Sequence, residues 1–244
     1  MRPVRLALVG FGKWGRNYVK AAHDSGEAEV THVVLRDDSP SRGAAEKAGI
    51  AAVSRLDGLG IDAVVIAIHP RLAPWVAQAA MRQGFPVMIE KPATLSVVEA
   101  HALVRAEAET GRTVLVAHQH LFAKGYEELR GMGAPESATA FFTGPTSHDF
   151  SATWDYGAHA VACLLGLGAL GRNWKAGVDE TRRASVTAWH GGVSFAYNGY
   201  SETDPPLTRA VLAFARAVRN GGTDDYRFGA EWAVDVAKAL EAAS

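Results

Sequence analysis

The feature that most constrains the fold is a regular alternation of apolar and helical segments over the first half of the chain. The apolar segments are continuous, and they cover 4–10, 30–35, 62–70, 86–92 and 113–119. Helical patterns lie between them, at 12–24, 39–48, 71–84 and from Ser96 to Gly111. Strands that are apolar throughout are buried on both faces. The alternation therefore predicts an α/β doubly wound parallel sheet whose ligands lie beyond the carboxyl ends of its strands.

The alternation stops after about residue 120. A short helix at 122–130 precedes a segment with period-2 character at 137–144. The segment 185–199 is typical of two antiparallel strands joined at Gly191 and Gly192. Two helices close the chain, one between Pro205 and Gly221 and one from Phe228 to Ala243.

These patterns predict two domains. Residues 1–118 form the doubly wound domain, which is of the Rossmann type. Residues 119–244 form a small α+β domain with a mostly antiparallel open sheet, which we expect to serve substrate binding or oligomerisation. The terminal helices of this second domain can pack back on the first.

Composition narrows the range of partners. The chain of 244 residues has 25 basic and 26 acidic side chains, and it shows no basic stripe for nucleic acid. No apolar segment approaches the ~18 residues of a membrane span. The single cysteine, Cys163, suits a reducing compartment and is expected to be a small buried side chain rather than a nucleophile. The chain enters a strand at Val4 without a signal peptide, so we expect a cytoplasmic protein.

A glycine fingerprint of the form G-x-G-x-x-G follows the first strand. It consists of Gly10, Phe11, Gly12, Lys13, Trp14 and Gly15. In such a loop the first glycine permits a tight turn, the second lets backbone approach a pyrophosphate, and the third lets helix pack against strand. The pyrophosphate lies at the positive end of the helix that follows. The alternative is a glycine-rich turn that binds nothing.

The residue that reads the adenosine ribose is expected at the end of the second strand. Asp37 lies 22 residues (37 − 15) after Gly15, close to the ~20 that a dinucleotide site requires. A carboxylate there favours NAD(H), since it accepts hydrogen bonds from ribose hydroxyls and repels a 2′-phosphate. NADP(H) is the alternative because the neighbouring Arg36 can pair with that phosphate. Asp37 and Asp38 can also be simple caps of the next helix.

Three further motifs carry a family resemblance. They are His69-Pro70 at the end of the third apolar segment, Glu90-Lys91-Pro92 at the end of the fourth, and the D-x-G-x-H motif that joins Asp155, Gly157 and His159. With the fingerprint, they make the chain resemble the Gfo/Idh/MocA family of oxidoreductases. The resemblance implies that Lys91 and His159 lie at the nicotinamide with Asp155 beside them. It also implies a cofactor-binding role for Ile68, His69 and Glu90, and a candidate cis bond between Lys91 and Pro92.

The chemistry of these residues suits hydride transfer. A histidine titrates near neutral pH and can take the proton of a hydroxyl, while a lysine ammonium stabilises the developing alkoxide. Asp155 and His159, four residues apart, share one helix face, and Gly157 between them can let backbone approach a ligand. The alternatives are a solvated Lys91 paired with Glu90, and a purely structural Asp155–His159 pair.

Several positions depart from the family pattern. The chain has His69-Pro70-Arg71 where relatives have Thr-Pro-Asn, and Ala162 where they carry an aspartate. His69 is therefore either a contact of the nicotinamide ribose or a cap of the next helix. An arginine expected after the sixth strand is replaced by His118-Gln119-His120. His118, His120, His148 and His159 are not accompanied by ligands at metal spacing, so we expect no metal.

The chain is also shorter than its relatives, which commonly exceed 300 residues. It is therefore interpreted as a short variant with a reduced C-terminal domain, and a homodimer through the C-terminal sheet is expected. The predicted function is hydride transfer between the nicotinamide cofactor and a hydroxyl or carbonyl carbon of a small polar or sugar-like substrate. An imine reductase and a cofactor-binding sensor without catalysis are the alternatives.

Overall fold

A computed structural model describes residues 1–145, 150–169, 173–199 and 205–243. Strands and helices alternate through its first half. They are β1 (Val4–Val9), α1 (Gly15–Ser25), β2 (Ala28–Val34), α2 (Arg42–Lys47), β3 (Ala51–Val53), β4 (Ala63–Ile66), α3 (Ala73–Arg82), β5 (Val87–Ile89), α4 (Val97–Thr110) and β6 (Val114–Val116). A short 3₁₀ helix, Gln119–Phe122, follows.

The strands of the first half form one parallel sheet with the order β3-β2-β1-β4-β5-β6. The side chains of β4, β5 and β6 are buried on both faces of the sheet. Two apolar clusters, one on each side, pack the helices onto it. The strand order reverses between β1 and β4, which is where this fold binds its ligands. The predicted doubly wound sheet is confirmed.

Four strands of this sheet differ from the sequence-based expectation. Two of them, β5 and β6, are short parts of the segments predicted at 86–92 and 113–119. β3 was not predicted, because its three residues, two of them alanine, form a weak pattern at the sheet edge. The strand predicted at 62–70 ends at Ile66. It stops early because the amides of Leu72 and Ala73 donate to the His69 carbonyl, which turns the chain into α3.

Four strands form a second sheet with the order β10-β9-β7-β8. The elements of this half are α5 (Lys124–Gly131), β7 (Ser137–Gly144), α6 (Ala152–Asp155), α7 (Gly157–Gly166), β8 (Trp174–Val178), β9 (Arg183–His190), β10 (Val193–Asn198), α8 (Pro206–Asn220) and α9 (Glu231–Glu241). β9 pairs antiparallel with both of its neighbours, whereas β8 pairs parallel with β7. The second sheet is therefore mixed rather than purely antiparallel.

The predicted hairpin is confirmed. β9 and β10 meet at Gly191 and Gly192, whose φ angles are +59° and +76°. Positive φ at both central residues is the requirement of a type I′ turn, and glycine meets it without strain.

The helix that begins after Ser96 also forms as predicted. Ser96 Oγ accepts the amide of Glu99, and Gly111 ends the helix in the left-handed conformation. The Glu99 carboxylate bonds to the amide of Leu95 instead of closing a capping box on Ser96. Each end of α4 therefore has its own partners for the free backbone groups.

Helices connect the two sheets. α7 packs under β7 and β8, α8 packs against α1, and α9 packs against α4. Glu107 on α4 fastens α9, since its carboxylate accepts the amides of Val114 and Ala230. Cys163 on α7 is buried, as expected, and burial raises the pKa of its thiol.

Three expectations are not settled by the fold. The division of the chain at residue 118, the homodimer and the cytoplasmic location stay predictions. Within the described part of the chain, no helix combines the length and the apolar character that crossing a membrane requires.

Candidate functional site

The loops that follow β1, β4, β5 and β6 lie at one edge of the parallel sheet. They carry the glycine fingerprint, His69, Lys91 and His118, respectively. α6 and α7 pack against the second sheet and carry Asp155 and His159. The direct hydrogen bond from Lys91 to Asp155 shows that they reach the same edge. The fold thus brings the residues of the predicted catalytic group together from distant parts of the chain.

Each glycine of the fingerprint has a different environment. Gly10 has φ +94°, and a Cβ on it would lie 2.6 Å from the Ala67 carbonyl oxygen and from Cγ2 of Ile68. A Cβ on Gly15 would lie 2.5 Å from the Gly10 carbonyl oxygen. No atom lies within 4 Å of the corresponding position on Gly12. The outer glycines are thus needed for packing, and the open space at Gly12 is where a ligand can approach the backbone.

The start of α1 is available to an anion. Its N-cap residue, Trp14, makes no capping hydrogen bond through its side chain. Lys13 is exposed beside it, whereas Phe11 is buried and anchors the loop. Free amides and the helix dipole at such an end favour a phosphate group. These residues fit the pyrophosphate of a dinucleotide.

Glu90 is engaged by the protein itself. Its buried carboxylate accepts hydrogen bonds from the indole of Trp14, from the Tyr18 hydroxyl at 2.7 Å and from the Lys91 amide at 2.8 Å. Burial raises the pKa of Glu90, while the charge of Lys91 and these donors oppose the rise. Glu90 therefore ties the fingerprint loop to the end of β5.

Asp37 lies at the end of β2 with 89 % of its side chain exposed. Arg42 donates to it at 2.9 Å, and the Ser54 hydroxyl also donates to it. Neither Asp37 nor Asp38 caps α2, whose N-cap residue is Ser41. An exposed carboxylate that two donors hold in place suits a ribose contact. Arg42, one of these donors, was not identified from the sequence.

The loop after β4 supports the fingerprint. Ile68 is half-buried against Gly10. His69 accepts the amide of Arg71 through Nδ1 at 3.2 Å, and its ring meets Phe150 edge-on. His69 thus stabilises the turn into α3. This agrees with the predicted role as a cap of the next helix, which was the alternative to a contact with the nicotinamide ribose.

Lys91 and Asp155 form a buried ion pair. The Lys91 ammonium lies 2.6 Å from the Asp155 carboxylate and 3.0 Å from its carbonyl oxygen. Only 11 % and 10 % of the two side chains are exposed. The Lys91–Pro92 peptide bond is cis, as the resemblance implied. The alternative of a solvated Lys91 is therefore wrong.

The helix of the D-x-G-x-H motif is interrupted. α6 ends at Asp155 and α7 begins at Gly157. A Cβ on Gly157 would lie 2.9 Å from the Trp174 ring and 3.0 Å from Leu240, so this glycine is needed for packing rather than for approach of a ligand. The expectation of one continuous helix with Asp155 turned to His159 is wrong, because the carboxylate pairs with Lys91 instead.

His159 is buried between aromatic rings. Its ring stacks on Phe142 at 5.6 Å and meets His120 edge-on at 4.8 Å. Its Nδ1 atom has no hydrogen-bond partner among the described residues. Burial, followed by the charge of Lys91, lowers the pKa of His159 well below its usual value. His159 is therefore neutral at pH 7 and can accept a proton.

Two further histidines line the same region. His120 exchanges a hydrogen bond with the Tyr197 hydroxyl at 2.8 Å. His118 is 1 % exposed, and neither of its ring nitrogens has a partner among the described residues. Burial and the charge of Lys91 lower the pKa of each to about 3. The sequence shows these residues only as departures from a family pattern, and their burial has no local signal.

The described histidines of this region are not part of a metal-ligand group. Among residues 1–145, 150–169, 173–199 and 205–243, no group of three or more His, Cys, Asp or Glu side chains has the geometry to hold a metal ion. His148, which the sequence analysis included, lies outside the described residues.

The fold and this edge are those of a dinucleotide-binding protein of two sheets, and comparison with known proteins shows what the first half of the chain is similar to. Residues 4–118 match the model of the Gfo/Idh/MocA oxidoreductase family with an NAD-binding Rossmann fold. The match covers slightly less than half of the chain, and this part is similar to the NAD-binding domain of that family.

Curated relatives are similar to this chain over part of its length. The chain is 31 % identical over 133 residues to an inositol 2-dehydrogenase of Renibacterium salmoninarum, covering 52 % of this chain and 40 % of the relative. It is 31 % identical over 159 residues to a dTDP-3,4-didehydro-2,6-dideoxy-α-D-glucose 3-reductase of Streptomyces violaceoruber, covering 59 % and 46 %. These matches span less than half of either relative.

The fold is shared with scyllo-inositol dehydrogenase from Lactobacillus casei, solved with NAD(H) and scyllo-inositol. The TM-score is 0.84 at 13 % identity, and the alignment covers 99 % of this chain and 96 % of the other.

The fingerprint glycines yield a paired prediction. Gly15→Ala is expected to lower the free energy of unfolding by about 1–3 kcal/mol, because its Cβ would overlap the Gly10 carbonyl. Gly12→Ala should change it by less than about 0.5 kcal/mol and weaken NADH binding, since the Cβ occupies the open approach to the backbone. Urea unfolding and NADH fluorescence titration measure the two effects. Undiminished NADH binding by Gly12→Ala would contradict this placement of the dinucleotide.

The buried histidines predict a loss of stability in mild acid. Unfolded His118 binds a proton below pH 6.5, whereas folded His118 stays neutral down to a pKa of about 3. The unfolded state therefore binds more protons between these values, and the free energy of unfolding falls as pH falls, by up to about 1.4 kcal/mol per pH unit for each such histidine.

Urea unfolding at pH 7, 6 and 5 measures this slope. His118→Leu should make it shallower, while His101→Gln, which changes an exposed histidine of α4, should leave it unchanged. Equal slopes for the wild type and His118→Leu would show that His118 is protonated in the folded protein.

Proposed function

We propose that this chain transfers hydride between a nicotinamide cofactor and a hydroxyl or carbonyl carbon of a small polar substrate. The observation that carries the proposal is the buried Lys91–Asp155 pair next to the neutral ring of His159. These groups lie at the carboxyl edge of the parallel sheet, beside a fingerprint loop that fits a pyrophosphate. The names of the two relatives, a polyol dehydrogenase and a sugar reductase, support a substrate of that kind.

The roles follow from charge and protonation. A bound nicotinamide would supply or accept the hydride at the substrate carbon. Neutral His159 takes the hydroxyl proton when the alcohol is oxidised, and protonated His159 returns it when the carbonyl is reduced. The Lys91 ammonium stabilises the negative charge that develops on the substrate oxygen. Asp155 holds that ammonium in place through two oxygen atoms.

The same groups argue against a sensor without catalysis. A protein that only binds the cofactor has no need of a lysine and an aspartate buried together at the nicotinamide end, since burial of two charges is costly. The positions that acid–base chemistry requires are all filled by residues that can perform it.

Substitution of the two reactive residues tests the proposal. Lys91→Met and His159→Asn should each lower kcat/KM at least 100-fold for a substrate found among inositols, sugars and nucleotide sugars, because each removes stabilisation of the transition state. NADH binding should change little. Cofactor turnover followed at 340 nm, with NADH fluorescence titration beside it, measures both effects.

Matched controls are Lys47→Met and His101→Asn, which change exposed residues far from this edge. Both should retain activity. Turnover that survives Lys91→Met and His159→Asn, or NADH binding with no turnover on any of these compounds, would contradict the proposed function.

The cofactor is proposed to be NAD(H) rather than NADP(H). Asp37 is exposed at the ribose end of the site and bears a negative charge, which repels a 2′-phosphate. Arg36 and Arg42 lie close by, but Arg36 pairs with Asp38 at 3.4 Å, and Arg42 bonds to Asp37 and to the carbonyls of Leu35 and Ala52.

NADH should therefore bind more tightly than NADPH. Asp37→Ser removes the repulsion of the 2′-phosphate and frees Arg42 to pair with it. The ratio of the NADPH to the NADH dissociation constant should therefore fall at least tenfold. Fluorescence titration of the wild type and Asp37→Ser with both cofactors measures the change. Tighter binding of NADPH by the wild type would reverse the assignment of Asp37.

A further inference from the structure

Arg182 lies in the turn between β8 and β9, one residue before β9 begins. Side chains alternate between the two faces of a strand. Ala184, two residues later, is buried opposite Phe142, and Phe142 stacks on His159. Arg182 thus continues the row of residues that faces His159, past the end of the strand. Arg183 belongs to the opposite face.

The guanidinium of Arg182 lies over the glycine fingerprint. Its central carbon is 5.8 Å from the centre of the Trp14 ring. The indole of Trp14 donates to Glu90, and Glu90 accepts the amide of Lys91. Arg182 is therefore within cation–π distance of the residue that connects the fingerprint, through Glu90, to Lys91.

The charge of Arg182 has no counter-charge within the part of the chain that the structure describes. The ammonium of Lys91 is paired with Asp155, and Arg183 lies 3.8 Å from Asp179. Arg182 is exposed, and no described carboxylate lies within 4 Å of it. Its positive charge contributes to the lowered pKa of His159, which agrees with its position near that ring.

We propose that Arg182 binds an anionic group of the substrate, a carboxylate or a phosphate. The planar guanidinium can donate two parallel hydrogen bonds to either group while it stays stacked on Trp14. The substrate class is then an acidic or phosphate-bearing sugar derivative rather than a neutral polyol. This inference rests on the proposed function and adds a substrate contact to it.

The cofactor has phosphates of its own, and the test must separate them from the substrate. The pyrophosphate is expected at the N-terminal end of α1, where the helix dipole is positive and Gly12 leaves the backbone open to a ligand. Saturation with NADH fills that place. An anion that binds to the NADH-loaded protein must therefore use a different group, which the proposal identifies as Arg182.

The experiment titrates inorganic phosphate into the NADH-saturated protein at constant ionic strength and follows nicotinamide fluorescence and the thermal midpoint. Wild-type protein should bind phosphate. Arg182→Gln should weaken this binding at least tenfold, because it removes a charge-assisted pair of hydrogen bonds. Arg183→Gln is the matched control, with the same change of charge one residue along on the other face, and should change it less than twofold.

Each outcome decides between the readings. Equal phosphate binding by Arg182→Gln and wild type, or no phosphate binding by the wild type, would overturn the proposal. Weaker binding of NADH by Arg182→Gln, with phosphate binding to the loaded protein unaffected, would assign Arg182 to the cofactor instead. The protein can also bind phosphate through Arg182 and yet turn over no substrate. That result would contradict the proposed function and support the anion site.

Discussion

The buried ion pair between Lys91 and Asp155 is the contact on which the arrangement of the site depends. It joins the end of β5 in the first sheet to the end of α6 under the second, across 64 positions of the chain. Two charges removed from water lose hydration energy that their attraction does not fully return, so the pair is a weak source of stability. Its effect is geometric: it fixes an ammonium group beside His159, while Glu90 fixes the backbone of Lys91 against the fingerprint loop.

Burial, and after it that fixed positive charge, keep the surrounding histidines neutral. His118, His120 and His159 are buried close enough to Lys91 for its charge to lower the pKa of each, in addition to the effect of burial. Neutral rings are the form that accepts a proton, so burial and the lysine charge hold His159 in the accepting form while they make it a weaker base. In acid the free energy of unfolding falls, because the histidines of the unfolded chain gain protons that those of the folded protein do not.

The sequence was sufficient for the frame of the molecule and for part of the site. Continuous apolar strands, the fingerprint and the pair Gly191–Gly192 are local patterns that predicted the frame, although β3 was missed and β4, β5 and β6 end earlier than predicted. The break between Asp155 and Gly157 could not be predicted, because it depends on Lys91 and on Trp174 from other segments. The placement of Arg182 on Trp14 likewise joins residues far apart in the chain.

A balance of charge at the reacting end links these observations. Its two buried carboxylates are already satisfied by the protein, Glu90 by three donors and Asp155 by the ammonium of Lys91. Because Lys91 and Asp155 cancel, and the buried histidines are neutral, the charges left for a ligand near the fingerprint are those of exposed cations. Lys13 is one of them, and Arg182, in the turn before β9, is another. A neutral polyol would leave the charge of Arg182 to solvent, whereas an anionic substituent would pair with it and hold the reacting carbon at a fixed distance from His159. The ammonium of Lys91 is already paired with Asp155, so recognition of an anionic substituent is left to a separate cation.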